Sequence, residues 1–138
     1  MKKFILSAEE WCVLPELSVP VIKAKIDTGA TTSSIHAVNI KSFQKGGQDY
    51  VSFDVYPLDN KNTCIHCEAP LKDKRFVKSS FGDKQMRYVI ATTVKVGKRT
   101  WEIELTLSNR SSMGYKMLLG REAINPDVLI DANSKLLQ

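Results

Sequence analysis

Residues 101–107 constrain this chain more than any other stretch. Trp101, Ile103, Leu105 and Leu107 alternate with Glu102, Glu104 and Thr106. A period of two belongs to an extended strand with one face in a core and the other towards water; a helix would scatter these side chains around its circumference. The same period returns in Val19–Ile26, where Ile22, Ala24 and Ile26 share one face and Val21, Lys23 and Lys25 the other. It returns again in residues 50–56 through Val51, Phe53 and Val55. Residues 86–96 are rich in β-branched and aromatic side chains, which suit a pleated, half-buried surface. Val96-Gly97-Lys98-Arg99-Thr100 then supplies a short glycine-bearing connection of the hairpin kind. Helix-period segments are scarce.

Residues 42–49, with Gly46-Gly47, and 57–63, with Pro57, are expected as loops. The charged stretch 68–84 is expected as an exposed excursion. Further on, residues 115–119 read as a short apolar strand and 120–124 as one helical turn, stopped by Pro126. Residues 128–130 read as a last strand. Several short strands with turn signals between them predict one all-β domain over residues 1–138, a small closed or partly closed β-barrel. The 138 residues fit a single domain, and 43 % apolar content lets a core form without disulfides or a structural metal.

Twenty basic and 15 acidic side chains leave a formal charge of +5. The excess suits an acidic substrate or partner. It is scattered, with no block of five like charges, so nucleic acid is not indicated. Cys12, Cys64 and Cys67 make an odd set, expected as free thiols in a reducing compartment. The apolar run after Met1-Lys2-Lys3 stops at Ser7, too short for an export signal. No stretch approaches the ~20 apolar residues of a membrane span. A cytoplasmic location, with no membrane partner, is expected.

The chemistry centres on Asp27-Thr28-Gly29-Ala30. A strand ends by delivering a carboxylate, Thr28 adds a hydroxyl, and Gly29 permits a tight turn that aims the carboxylate into a cleft. One aspartate alone is a poor proton shuttle near neutral pH. Two within a few ångströms cannot both ionise; they share a proton, one serving as base and the other as acid, and activate a water between them. The sequence holds one such triplet, so the second must come from a second chain. A two-fold homodimer sets a residue near its axis against its own copy. Alternatively, three letters of this kind mark an ordinary turn. Asp127 or Asp131 could supply the second carboxylate within one chain, but neither sits in an Asp-Thr/Ser-Gly turn.

Other candidates carry plain readings as well. Cys64-Ile65-His66-Cys67 crowds three potential ligands into four residues, whereas tetrahedral zinc draws on two separated pairs. A thiol cluster is the preferred reading, and neither metal nor cofactor is expected. His36 is read as structural, with tuning of the site's pH response as the alternative. Arg75, Arg87 and Arg110 could form a basic cleft for an acidic chain end, or be ordinary surface arginines.

An early Asp-Thr-Gly-Ala turn and the late Met117-Leu118-Leu119-Gly120-Arg121 segment resemble the retropepsin-like aspartic proteases. That resemblance implies a barrel in which the late segment packs behind the catalytic loop and Arg121, next to Gly120, braces it. It implies Asp27, Thr28 and Gly29 as catalytic, and Ala30, Thr31 and Arg87 as substrate-binding. A longer string resembles a bacterial retropepsin-like family often labelled ATP-dependent zinc proteases. It runs through Trp11, Leu14-Pro15-Glu16-Leu17, residues 24–30, Ser33-Ser34, His36-Ala37, Arg75, Ser80, Gly82, Arg87-Tyr88, Thr106-Leu107, Asn109-Arg110-Ser111 and residues 117–122. Some members are associated with ATP-grasp glutamate ligases that modify a ribosomal protein, which implies a glutamate-ligase pathway partner. The residues themselves offer no His-Glu-x-x-His and no phosphate-binding Gly-x-x-x-x-Gly-Lys-Ser/Thr loop. Two departures from the viral pattern stand out. Thr31 occupies the place where an acidic residue usually meets the late arginine, and an insertion is expected within residues 59–84. Gly46-Gly47 and residues 79–83 are the two candidates for a flap. Three functions remain open: an aspartic endopeptidase, a non-catalytic peptide- or partner-binding module, and a hydrolase acting on an isopeptide or a glutamate-tailed protein.

Overall fold

The computed structural model describes residues 4–58, 63–78, 84–109, 115–124, 128–131 and 136. Its regular elements are strands and two single 3-10 turns. The strands are β1 (Phe4–Ser7), β2 (Glu9–Leu14), β3 (Val19–Ile26), β4 (Ser33–His36), β5 (Val38–Lys45) and β6 (Gln48–Val55). They continue with β7 (Ile65–Pro70), β8 (Asp73–Lys78), β9 (Lys84–Val96), β10 (Arg99–Ser108), β11 (Met117–Leu119) and β12 (Val128–Asp131). The 3-10 turns are Pro15–Leu17 and Arg121–Ala123.

The main sheet runs β10-β4-β11-β3-β2-β9-β8, and β10 also pairs with β9. That pairing closes a ring of six strands, with β8 appended to β9. Closure removes the edges that a six-stranded open sheet would expose. The all-β barrel expected from the alternating segments is therefore the fold. Ile22, Ala24, Ile26, Ile35, Leu105 and Met117 fill its interior, all at or below 8 % exposure. Val51, Phe53 and Val55 turn inward from the second sheet, β5-β6-β7, and join the same core. β1 and β12 form a separate parallel pair, with Phe4 beside Val128.

Three local expectations change. Residues 42–49 are mostly strand: β5 and β6 form a hairpin turning at Gly46 and Gly47, whose φ values of 59° and 82° are what a two-residue turn of this hand needs. Both faces there are largely polar, so no alternation announced the strands. Residues 68–84 are exposed at most of their described side chains, as expected, but contribute the end of β7, all of β8 and the start of β9; residues 79–83 lie outside the described set. Thr106 and Ser108, on the polar side of the β10 pattern, are also buried; Thr106 lies between Ser34 of β4 and Val89 of β9, and Ser108 beside His36. β1 and β2 carry no alternation long enough to read, and Glu10 is wholly buried on β2.

Candidate active site

β3 ends at Ile26 because the next residues leave the sheet as a turn. The backbone of that turn is held from both sides. Asp27 N–H donates to the Leu119 carbonyl at 2.9 Å, and Ala30 N–H closes back on the Asp27 carbonyl at 3.2 Å. Gly29 N–H donates to Asp27 Oδ1 at 3.0 Å. A Cβ on Gly29 would lie 3.3 Å from that same oxygen, so the glycine lets backbone and carboxylate approach. Asp27 is half-buried, while Thr28 and Gly29 are exposed. The carboxylate thus sits at one end of the barrel, oriented by a backbone donor and open to an approaching molecule.

The late segment packs behind this turn. Arg121 N–H donates to the Ala30 carbonyl at 2.7 Å, and Glu122 N–H to the Thr31 carbonyl at 3.0 Å. Gly120 N–H donates to Ser33 Oγ at 3.0 Å, a buried bond. The Arg121 guanidinium donates to Thr31 Oγ1 at 3.0 Å. Thr31 therefore takes up the arginine that an acidic residue would otherwise pair. Trp101 fixes the 3-10 turn to β10 by donating from Nε1 to the Ala123 carbonyl at 2.8 Å. Gly120 is required for space: its φ of −85° suits any residue, but a Cβ would lie 2.5 Å from the Thr32 carbonyl carbon and oxygen.

Asp27, Gly29, Ala30, Thr31, Gly120 and Arg121 are thus brought into one hydrogen-bonded unit, with Thr28 exposed in its turn. Ser33 and Trp101 belong to it too. Ser33 lay within the run of small hydroxyl residues after Ala30; Trp101 looked like core, and nothing in the sequence marked its indole as an anchor. Arg87 lies elsewhere, on β9 beside Gln85, lining a cavity that contains no residue of the Asp27 turn. Arg75 is opposite Arg87 in the β8–β9 register but is committed to Glu104 at 2.8 Å and Asp73 at 2.9 Å. Arg110 and Asp127 fall outside the described residues, as does the 79–83 flap candidate.

A second cavity of about 390 Å³ adjoins the turn, lined by Thr32, Ser33, Glu122 and the Lys72–Glu104–Arg75 ion pairs. Hydrogen bonds from Lys72 and then Arg75 hold the Glu104 carboxyl below its ordinary value. His36 is buried at the far end of β4, and burial, helped by Lys116, pushes its imidazole below the ordinary value. The Cys64–Cys67 segment is split by the strand. Cys67 faces the core, its thiol pushed up to about 11 by burial, while Cys64 and His66 are exposed. His66 Nδ1 meets Asp54 Oδ1 at 2.7 Å, and Asn39 donates to the other Asp54 oxygen at 2.8 Å. No metal-holding group of three His, Cys, Asp or Glu side chains occurs among the described residues.

A closed small barrel with an Asp-Thr-Gly turn backed by a Leu-Leu-Gly-Arg segment defines a retropepsin-like protein. Residues 5–138 match the RimB-like family, described as retropepsin-like aspartic endopeptidase RimB, and the chain belongs to that family. It is also 53 % identical over 130 residues to proteins named "Probable alpha-L-glutamate ligase" from Desulfotalea psychrophila and Shewanella pealeana. Those alignments cover 94 % of this chain but 28 % of each relative, so the chain spans under a third of their length. The crystal structure of a Legionella pneumophila protein of unknown function superposes with a TM-score of 0.80 at 29 % identity, covering 99 % of this chain and 98 % of that one. No helix among the described residues is long and apolar enough to cross a membrane.

Proposed function

We propose that this chain is an aspartic endopeptidase that works as a homodimer, with Asp27 of each copy sharing one proton and activating a water. The observation that carries the reading is the Asp27 turn itself. Its carboxylate is half-buried and oriented by Gly29 N–H, and the Gly120–Glu122 backbone holds residues 30, 31 and 33 just after it. Asp27 supplies the reacting carboxyl, with Thr28 and Gly29 shaping the turn around it. Ala30 and Thr31 line the substrate's path, and Gly120 and Arg121 are positioning residues. Peptide or protein is the substrate, and no cofactor is needed for hydrolysis by this route.

The test is cleavage of a complex peptide mixture, read by mass spectrometry from pH 4 to 8 alongside sedimentation. The parent should cut with an acid-leaning profile and sediment as a dimer. Asp27→Asn should lose about 10²–10⁴-fold in rate, the usual worth of a general acid–base group, and keep the dimer. Cleavage by Asp27→Asn at the parent's rate, or a strict monomer at high concentration, overturns the shared-dyad mechanism.

A second reading is favoured by the relatives' names. The chain aligns with part of proteins named as glutamate ligases, which supports a partner-binding module in a glutamate-ligase pathway, using the same fold without catalysis. On that reading Asp27→Asn leaves partner binding intact and there is no turnover to lose. A glutamate-tailed protein would be the natural substrate if both readings hold in part.

A further inference from the structure

We infer that the cavity adjoining the Asp27 turn binds a primary ammonium group of the substrate chain, with Thr106, Glu102 and Glu122 as its acceptors. This role rests on the peptidase reading and names a group that the peptide must carry. The cavity holds about 390 Å³. Thr32 and Ser33, which follow the turn, contribute to its lining, as does Glu122 from the 3-10 turn behind them. The rest comes from β10, where Glu102, Glu104 and Thr106 alternate onto one face of the strand, and from Lys72 and Arg75.

Two independent observations point to a cation. The first is an open acceptor. Thr106 is 7 % exposed, and its Oγ1 makes no hydrogen bond among the described residues. Thr92 and Ser108 also carry unpartnered hydroxyls, but theirs are sealed from solvent; the Thr106 oxygen is not, so it can be reached from the cavity it lines. A nearly buried hydroxyl of this kind leaves an acceptor for water or for a visiting donor. The second observation is the charge. Glu104 takes Lys72 at 2.9 Å and Arg75 at 2.8 Å, and Asp73 takes Arg75 at 2.9 Å. Two cations thus meet two carboxylates and cancel. Glu102 and Glu122 are left over: both are exposed, and neither makes an ion pair among the described residues. Glu104, and at longer range Glu102, hold Lys72 in its charged form. The cavity is therefore acidic in a chain whose formal charge is +5. An ammonium has three N–H donors and no acceptor, which matches one hydroxyl and two carboxylates. An anion would meet two spare like charges, with the nearby cations already engaged. The shared chemistry is a primary ammonium, which a peptide offers either on a lysine side chain or at its amino terminus.

Binding is measured by amide-shift mapping on the Asp27→Asn chain, so that no outcome depends on hydrolysis. Loss of this site would leave the Asp27 mechanism standing, and a failed cleavage assay would leave this site standing. Two peptide pairs separate the sources. One is acetyl-glycyl-lysyl-glycine amide against its glutamine counterpart; the other is glycyl-glycyl-glycine amide against its acetylated form. The amine of one pair should move the amides of residues 32–33, 102–106 and 122, with its neutral mate at least about fivefold weaker. Its binding should weaken as salt rises from about 0.05 to about 0.5 M. Glu102→Gln and Glu122→Gln should each cost about two- to fivefold, and the two together about tenfold. Thr106→Val should cost several-fold, whereas Thr106→Ser, which keeps the hydroxyl, should bind within about twofold of the parent. The site is disproved if neither amine perturbs those amides or if amine and neutral forms bind alike. It is equally disproved if the glutamate counterpart of the lysine peptide binds there more tightly, or if Thr106→Val or the double glutamine variant binds as the parent does.

Discussion

Replacing Gly120 by alanine tests whether the Asp27 turn is held by close packing of two backbones. The new Cβ would lie 2.5 Å from both the carbonyl carbon and oxygen of Thr32 and 3.0 Å from its nitrogen. Ordinary contact needs about 3.5 Å, so the two segments must part by about 1 Å. The obstacle is backbone, and no flexible side chain can yield. Parting by that distance takes the Arg121-to-Ala30 and Glu122-to-Thr31 bonds, now 2.7 and 3.0 Å, to or beyond the limit of a useful hydrogen bond. Two such bonds contribute about 1 kcal/mol each, and overpacking costs about 1–3 kcal/mol more. The expected loss is about 4 kcal/mol, or a melting temperature lower by about 12 °C in a chain of this size. Gly46→Ala is the control. Its φ of 59° strains alanine, but nothing lies within 4 Å, so only about 1 kcal/mol should go. Urea denaturation and thermal melting of both variants measure the difference. A Gly120→Ala protein as stable as Gly46→Ala would refute the packing argument.

Other outcomes follow from single groups. Thr92 is 1 % exposed with Oγ1 unpartnered among the described residues, so Thr92→Val should raise the urea midpoint by the equivalent of about 1 kcal/mol. Burial raises the Cys12 thiol to about 12 and Cys67 to about 11, whereas Cys64 is exposed. A disulfide reagent at pH 8 should therefore titrate Cys64 quickly in the folded protein and the other two only on unfolding. Glu104 is depressed by its bonds to Lys72 and Arg75 below the free value of 4.5. Its stabilisation is then full above that value and fades as pH falls through the lower folded value. Glu104→Gln should melt about 2 °C below the parent at pH 7, a small effect because solvent screens the half-exposed pairs, and the gap should close on acidification below 4.5.

The barrel was legible where one face of a strand meets the core and the other meets water. Val19–Ile26 has the bounds and faces its alternation predicts. Where the second face is buried too, as at Thr106 and Ser108, burial departs from the period of two, and residues 42–49 are too polar to show one. Pairing β10 with β4 and β3 with β11 joins residues far apart in sequence, which no local pattern encodes. The catalytic-type turn was legible because glycine and aspartate leave a compositional mark. Its supports were legible only in part. Arg121 carried a family resemblance, but that Thr31 takes its guanidinium, that Ser33 takes Gly120 N–H, and that Trp101 anchors Ala123 depend on where the closed barrel brings their atoms.

The exchange of an acid for Thr31 alters how the turn responds to solution conditions. An arginine–carboxylate brace weakens when the carboxylate is protonated and when salt screens the pair. Here every described bond from the late segment to the loop ends on a carbonyl or a hydroxyl: Ala30 O, Thr31 O, Thr31 Oγ1 and Ser33 Oγ. None of these acceptors titrates in the range where proteins stay folded. The brace therefore keeps its geometry at the acid pH where two carboxyls sharing a proton would work, while the Glu104 pairs on the barrel wall loosen. Arg121→Gln, which keeps an N–H donor for Thr31, should accordingly preserve most of the stability that Arg121→Ala loses. The Arg121→Gln-to-parent ratio of any Asp27-dependent cleavage should stay flat from pH 4 to 7. A ratio that rises steeply on acidification would mean that charge, and not hydrogen-bond geometry, is what Arg121 supplies to the turn.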